Sequence, residues 1–103
     1  MASEPRLTYQ SLKVLRAFLD ARLYQASGAD IIKTTKLASG TIYPILFRFE
    51  DAGWLVAHWE EVDPVEAGRP RRRYYRLTGA GQRVAQQRLA EFAPTTGGPE
   101  WAR

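Results

Sequence analysis

A short run of arginine and tyrosine is the part of the chain whose residue types point most clearly to a chemistry. Residues 69–76 hold five arginines and two tyrosines, and no aspartate or glutamate. The chain carries a formal net charge of +4, so without these five arginines the remainder would carry −1. Concentrated arginine beside aromatic residues is typical of a surface that contacts a polyanion. The run therefore predicts a polyanion-binding surface.

Few other residues suit catalysis or metal binding. His58 is the single histidine and cysteine is absent, so neither a zinc site nor a disulfide is expected. Glu60 and Glu61 are adjacent in a predicted strand, and their side chains would face opposite sides, which prevents their acting as an acid–base pair. No phosphate-binding loop or nucleophile motif is present. We expect no enzyme activity, no metal and no cofactor.

Size and composition indicate one small globular domain. The chain has 103 residues, of which 45% are hydrophobic. No apolar run approaches the roughly 18 residues of a membrane-spanning helix, and the first residues lack the order of a secretion signal. We expect a cytoplasmic protein without a membrane partner. At this size, pairing with a second copy would help to bury apolar surface.

Hydrophobic spacing predicts three helices in the first half of the chain. The first begins after Thr8 as N-cap and carries two apolar rows, so that either both rows lie in the core or one contacts a second subunit. The rows are Leu12, Leu15 and Leu19, and beside them Val14 and Phe18. Ser27 and Asp30 have the spacing of a capping box for a short second helix over residues 28–36.

The third helix is predicted between Ser39, taken as its N-cap, and Gly53, taken as its C-terminal stop. Its inner face has apolar residues at helical spacing, namely Ile42, Ile45, Leu46 and Phe49. Its outer face carries Gly40, Thr41, Pro44, Phe47, Arg48 and Asp51, with Tyr43 at the edge.

The second half predicts a hairpin and a last helix. Residues 54–62 and 72–77 have the composition of strands, joined by a turn over residues 63–70. Thr78 caps a helix over residues 79–92, whose apolar stripe is Val84, Ala85, Leu89 and Phe92. Residues 1–7 are expected to be an arm and residues 93–103 a loose tail. The order α-α-α-β-β-α, mainly α with a small β-hairpin, is that of a winged helix-turn-helix over residues 8–92.

A helix-turn-helix places its second helix in the DNA major groove, which is about 12 Å wide. The small polar residues 39–41 lie at the N-terminal end of that helix, where backbone N–H groups also favour a phosphate. Phe47 either contacts a thymine methyl group or packs against helix neighbours, and packing is the preferred interpretation. The residues of this helix predicted to bind DNA are Ser39, Gly40, Thr41, Tyr43, Pro44 and Arg48.

The returning limb of the hairpin supplies a second predicted contact. Its cationic residues are Arg69, Arg71, Arg72 and Arg73. In a strand, Arg71 and Arg73 point to one side and Arg72 to the other. Residues 50–66 hold six acids and no lysine or arginine, so cross-strand ion pairs with Glu60, Glu61 and Asp63 compete with DNA contact. We expect both, with at least two arginines facing nucleic acid.

Two segments resemble the PadR family of bacterial transcriptional regulators. Residues 41–55 read TIYPILFRFEDAGWL and residues 68–81 read GRPRRRYYRLTGAG. They are similar to the family's Thr-Leu-Tyr-Pro-x-Leu helix ending in Glu-x-x-Gly-Leu, and to its wing running into Arg-x-Tyr-Tyr-x-Leu-Thr-x-x-Gly. The resemblance covers about residues 8–92. It implies a homodimeric repressor of a palindromic operator, with Tyr43 in the major groove and the wing arginines along the backbone or minor groove.

The resemblance also implies how the dimer forms and what controls it. Family dimers use the first and last helices, here through Leu12, Val14, Leu15, Phe18, Val84, Leu89 and Phe92. Some members release DNA when a phenolic or aromatic ligand binds, so a small aromatic effector is expected near the dimer seam, beside Trp54, Trp59 or Trp101. Phe47 stands where a basic residue is common in the family.

Two other functions fit the same sequence. Winged helices also serve as protein–protein interaction modules, and the arginine run would then bind an acidic protein surface. A small-molecule-responsive sensor is the second alternative. The small polar start of the third helix and the two family motifs favour double-stranded DNA as the partner.

Overall fold

The structure is a computed structural model that describes residues 7–92. The predictions for residues 1–6 and 93–103, including Trp101, concern residues outside the described range, as does the prediction for the side chain of Phe92. The elements in chain order are α1 (Tyr9–Asp20), β1 (Gln25–Ser27), α2 (Gly28–Thr35), α3 (Ser39–Asp51), β2 (Leu55–Trp59), α4 (Pro64–Ala67), β3 (Arg73–Leu77) and α5 (Gly79–Phe92), with a 3-10 turn at Arg22–Tyr24 between α1 and β1. Within this part of the chain, no helix is long and apolar enough to cross a bilayer.

Local side-chain capping sets where the first helices begin. The Thr8 side chain accepts a hydrogen bond from the Ser11 N–H at the start of α1, as predicted. Ser27 and Asp30 form the predicted capping box at the start of α2. The prediction for α3 was wrong by one residue, because Ala38 is the N-cap and makes no side-chain hydrogen bond.

The sheet has three strands rather than the two of the predicted hairpin. The strand order is β1-β3-β2 and both pairings are antiparallel, so the arginine-rich β3 is the central strand. β1 is only three residues long, too short to show a periodic pattern, and its Ala26 is buried opposite Tyr75. β2 and β3 are also shorter than predicted, and α4 occupies part of the predicted turn between them.

Both apolar rows of α1 belong largely to the core of the single chain. The buried apolar residues of the helices and sheet are Leu12, Val14, Leu15, Phe18, Ala26, Ile31, Ile42, Ile45, Leu46, Phe49, Leu55, Tyr75, Leu77 and Ala85. Val14, Leu15 and Phe18 have no exposed surface at all. Side chains that are fully covered within one chain cannot also contact a second subunit. This burial favours the interpretation that both rows are core residues, with Leu19 half-buried at the margin of the core.

The inner face of α3 is buried as its spacing predicts, and the helix ends as expected. Gly53 adopts φ 82°, a left-handed conformation that glycine accepts without strain. Its N–H donates to the Glu50 carbonyl at 3.0 Å, and the Trp54 N–H donates to the Phe49 carbonyl at 2.9 Å. These bonds stop α3 and turn the chain directly into β2.

Candidate nucleic-acid interface

The turn between α2 and α3 is held by polar contacts that the hydrophobic pattern does not reveal. Lys36 ends α2 in the left-handed conformation, with φ 64°. The Thr35 hydroxyl donates to the Ile31 carbonyl at 2.7 Å and accepts from the Leu37 N–H at 3.3 Å. Lys13 of α1 donates from Nζ to the Thr35 carbonyl at 2.9 Å. α1 thus fixes the turn that orients α3.

The face of α3 opposite the core is open to solvent. Ser39, Gly40, Pro44 and Arg48 are exposed and Thr41 is half-buried. A Cβ added at Gly40 would meet no atom within 4 Å, so the N-terminal end of the helix is unobstructed. Small polar residues at an unobstructed helix N-terminus leave backbone N–H groups available to an anionic ligand.

Tyr43 is positioned by a glycine at the start of α2. Its side chain is 47% exposed. The ring lies against Gly28 so closely that a Cβ on that glycine would stand 2.6 Å from the phenol oxygen and 2.8 Å from Cε1. Gly28 is therefore the residue that permits this Tyr43 orientation. This role of Gly28 was not predicted from the sequence, because Gly28 and Tyr43 lie on different helices.

The prediction that Phe47 packs against its neighbours was wrong. Its side chain is 69% exposed on the open face of α3, beyond Tyr43 and Pro44. The helical phase that buries Leu46 and Phe49 turns Phe47 outward. Arg48 beside it makes no ion pair or side-chain hydrogen bond with any residue of the described range.

The wing arginines separate into paired and unpaired groups. Arg69 is paired within the wing: its Nη1 and Nη2 donate to the two Glu60 oxygens at 2.7 and 2.9 Å. The Arg72 backbone N–H adds a third hydrogen bond to Glu60 at 3.1 Å. Arg69 therefore closes the loop between β2 and β3, and its guanidinium is largely used there.

The same contacts change the acidity of Glu60. The side-chain hydrogen bond from Arg69 lowers the pKa of Glu60 from 4.5 to about 2, with help from the Arg72 N–H and the two positive charges, while burial opposes the shift. A carboxyl group whose folded-state pKa is depressed contributes stability above its unfolded pKa, and loses it as the pH falls toward the folded value.

We therefore predict that Glu60→Gln destabilises the protein at neutral pH by more than it does in acid. The difference in urea midpoint between wild type and variant is expected to shrink as the pH falls from 4.5 toward 2, because wild-type Glu60 becomes protonated over that range. Urea unfolding at a series of pH values checks this. A difference that stays constant through that range would show that Glu60 has an ordinary pKa.

Arg73 connects the wing to α3. Its Nη2 lies 3.3 Å from a Glu50 carboxylate oxygen, and its guanidinium carbon lies 5.7 Å from the ring centres of both Trp59 and Tyr75. Burial raises the pKa of Tyr75, with Arg73 opposing and Glu50 and Tyr43 adding to the shift. These interactions place Arg73 at the junction of α3 and the sheet.

Arg71 and Arg72 are the more available wing cations. Arg71 uses only Nε, which donates to the Val62 carbonyl at 2.9 Å. The Arg72 guanidinium is exposed and has no ion-pair or hydrogen-bond partner within residues 7–92. Arg76 of β3 is likewise exposed and was not among the predicted DNA-binding residues. Its exposure follows from the alternation of a strand, because the neighbouring Tyr75 and Leu77 are buried.

We expect Arg72→Ala to weaken binding to every DNA sequence and to flatten the salt dependence by about one unit in the slope of log K against log salt, because one phosphate contact is lost. Titrations on one duplex at several salt concentrations measure the slope. Arg22→Ala is the matched control, because it removes the same charge from an exposed residue of the 3-10 turn after α1. An unchanged slope in Arg72→Ala would exclude a phosphate contact there.

Of the residues expected at the dimer seam, some remain accessible and others do not. Leu12, Val14, Leu15 and Phe18 are in the core, whereas Val84 and Leu89 are half-buried. A groove of about 900 Å³ lies between α1 and α2 and reaches Leu89 of α5. Its apolar lining consists of Leu7, Tyr9, Leu12, Ala17, Ala21, Ala26, Ile31 and Leu89.

Trp54, Trp59 and His58 were considered as candidate ligand-binding residues, and the structure places them as follows. Trp54 is buried against Phe49, with ring centres 5.2 Å apart, so it offers no surface to a ligand. Trp59 is exposed near Arg73. His58 stacks on Tyr74 at 6.0 Å. The described residues contain no cluster of metal-ligating side chains.

Solved structures with the same fold include DNA-binding regulators. A PadR family transcriptional regulator from Eggerthella lenta DSM 2243 has a TM-score of 0.63 and 25% identity, over 80% of this chain and 70% of its own. BpsR of Bordetella bronchiseptica, whose DNA binding is regulated by 6-hydroxynicotinic acid, has a TM-score of 0.66 and 23% identity, over 93% of this chain and 70% of its own. MepR of S. aureus, solved with DNA, has a TM-score of 0.67 and 15% identity, over 88% of this chain and 68% of its own.

No curated protein matches the chain by sequence. The model of the transcriptional regulator PadR-like family matches residues 21–87, which include α2, α3, the whole wing and the start of α5. The match therefore covers the open face of α3 and the wing arginines described above. The protein belongs to the PadR-like family of transcriptional regulators, DNA-binding winged-helix proteins that are not enzymes.

Proposed function

We propose that the protein is a repressor that binds a palindromic DNA operator as a homodimer. The observation that carries this proposal is the open outer face of α3, with its small polar N-terminal end, beside a wing that keeps Arg71 and Arg72 exposed. α3 enters the major groove and reads bases, whereas the wing holds the phosphate backbone.

The division of labour follows from the chemistry of each surface. Thr41 and Tyr43 carry hydroxyl groups, and Arg48 carries the single positive charge of α3. These groups suit base edges and nearby phosphates. Arg69 and Arg73 are used within the fold, so we assign them the role of shaping the wing rather than contacting DNA.

The dimer is proposed to form through the accessible side of α1 and the second half of α5. Tyr9 is 77% exposed at the start of α1. Leu89 of α5 is one of the residues that line the apolar groove. Covering this groove with a second copy would bury apolar surface that a small domain leaves in water. Light scattering of wild type and Leu89→Glu tests the seam; wild-type monomer at micromolar concentration would refute it.

A small aromatic effector is proposed for the same groove. Lys13, Arg16 and Lys33 lie among its lining residues, together with Asp20 and Asp30. Lys13 donates to the Thr35 carbonyl and Arg16 pairs with Asp20, so Lys33 is the cation proposed to bind the carboxylate of an aromatic acid. The relative BpsR responds to 6-hydroxynicotinic acid, which serves as the first probe. Release of bound DNA by this probe or by related aromatic acids would support the proposal, and no effect across the series would contradict it.

Selection of bound fragments from genomic DNA tests the proposed function as a whole. The expected result is an enriched palindrome whose half-sites are spaced by about one helical turn, or by a multiple of one turn. Enrichment of a single non-repeated site would argue against a dimeric reader. Recovery of fragments without any common sequence would favour the alternative, a winged-helix module that binds an acidic protein surface.

A further inference from the structure

The open face of α3 is aromatic where a phosphate-binding helix would be basic. Residues 39–51 contain a single arginine and no lysine. The largest exposed side chains of this helix are Phe47, at 69%, and Tyr43, at 47%. Together with Pro44 they form an apolar stripe on the side that faces away from the core.

Phe47 has no structural role that explains its position. The core contacts of α3 are made by Ile42, Ile45, Leu46 and Phe49, which lie on the opposite side. A phenylalanine ring in water is unfavourable, and it can neither donate a hydrogen bond nor neutralise a phosphate. A partner for Phe47 on DNA must therefore offer apolar surface.

The major groove offers one such feature. Among the four bases, only thymine presents an apolar group there, its C5-methyl, and phenylalanine is one of the side chains that contact it. We propose that Phe47 is a specificity-determining residue that selects a thymine in each half-site through its methyl group. This inference rests on the proposed function, because it needs α3 in the major groove.

The neighbouring residues fit this role. Tyr43 lies one turn before Phe47 on α3, and its ring packs closely against Gly28 of α2. Arg48 adjoins Phe47, is exposed and has no ion-pair partner among the described residues, so its guanidinium is available to a phosphate. The phosphate contact of Arg48 sets how deeply α3 lies in the major groove. The uncharged ring of Phe47 then contacts the thymine methyl group.

The test compares thymine with uracil, which differ only by the methyl group. Each thymine of a selected operator is replaced singly by deoxyuridine, and affinity is measured for wild type and Phe47→Ala. For wild type, one thymine per half-site is expected to lose about threefold to fivefold in affinity, the loss expected when one methyl group is no longer buried. Phe47→Ala is expected to bind both duplexes with equal affinity.

Two further variants make the result specific. Phe47→Leu keeps an apolar side chain, so it should still prefer thymine over uracil at the same position. Val65→Ala truncates another exposed apolar residue, 87% exposed on α4 in the wing, and should leave the uracil effect as in wild type. Thermal unfolding of each variant checks that a change in DNA affinity does not come from a loss of fold stability.

The outcomes separate this inference from the proposed function. A protein that prefers its operator but shows no uracil-sensitive thymine, or keeps the full sensitivity in Phe47→Ala, overturns the assignment of Phe47 alone. An operator whose half-sites contain no preferred thymine also overturns the assignment of Phe47 alone. Failure to prefer any duplex overturns the proposed function, and with it the role of Phe47.

Discussion

Replacing Gly81 by alanine is expected to lower the free energy of unfolding by about 1–3 kcal/mol, the usual cost of forcing extra volume into a packed site. Gly81 lies in the first turn of α5 and is buried. A Cβ there would collide with the backbone carbonyl of Trp54 and stand 3.0 Å from Cδ2 of Leu77. Backbone cannot move aside as a side chain can, so α5 must shift.

The joint that would be disturbed connects α5 to the base of the wing. The Thr78 N–H donates to the Trp54 carbonyl at 2.9 Å, and its hydroxyl donates to the Gly53 carbonyl at 2.7 Å. The Gly81 N–H donates to the Thr78 hydroxyl oxygen at 3.0 Å. A shift of α5 breaks several of these hydrogen bonds together.

Gly79→Ala is the matched control for this prediction. It makes the same change two residues earlier, where the new Cβ would lie 3.7 Å from the flexible end of Arg83, an ordinary contact. Urea unfolding of both variants gives the comparison. Equal stability of Gly81→Ala and Gly79→Ala would show that α5 does not pack on Trp54 as closely as described.

Gly28→Ala is expected to reduce operator affinity by about tenfold while leaving the fold intact, since losing one specific contact commonly costs about 1–3 kcal/mol. The added Cβ would meet the Tyr43 phenol at 2.6 Å. Because this ring is exposed and can rotate away, the change moves Tyr43 without disturbing the core. Affinity for unrelated duplex DNA should fall much less, because phosphate contacts dominate there.

A double-mutant cycle shows whether the effect passes through Tyr43. In a Tyr43→Ala background the ring is absent, so adding Gly28→Ala should cause no further loss of operator affinity. Fluorescence anisotropy on operator and unrelated duplexes measures both. If Gly28→Ala still costs tenfold in that background, Gly28 acts on DNA binding by another route.

Much of the fold follows from local patterns in the sequence. The spacing of Ile42, Ile45, Leu46 and Phe49 predicts the buried side of α3, and the structure buries all four. Gly53 marks the end of that helix because its φ of 82° is the left-handed conformation expected there. Such features depend on a few neighbouring residues, which is why a single sequence reveals them.

Other features depend on residues that are distant in the chain. β1 exists because Gln25–Ser27 pairs with β3, and three residues carry no periodicity of their own. Arg69 forms an ion pair with Glu60, and Arg73 forms one with Glu50. Composition alone does not show which arginines are paired in this way and which remain available to DNA. The exposure of Phe47 follows from the helical phase, although a general preference for buried phenylalanine led to the opposite expectation.

We propose that α3 reads the DNA sequence while the wing holds the phosphates. An anisotropy titration of the selected operator and of a scrambled duplex, over a range of salt concentrations, tests it most directly. We expect the operator to bind at least about 10³-fold more tightly than the scrambled duplex. Log K for both should fall linearly with log salt. Equal affinity for the two duplexes, or affinity indifferent to salt, would contradict the account.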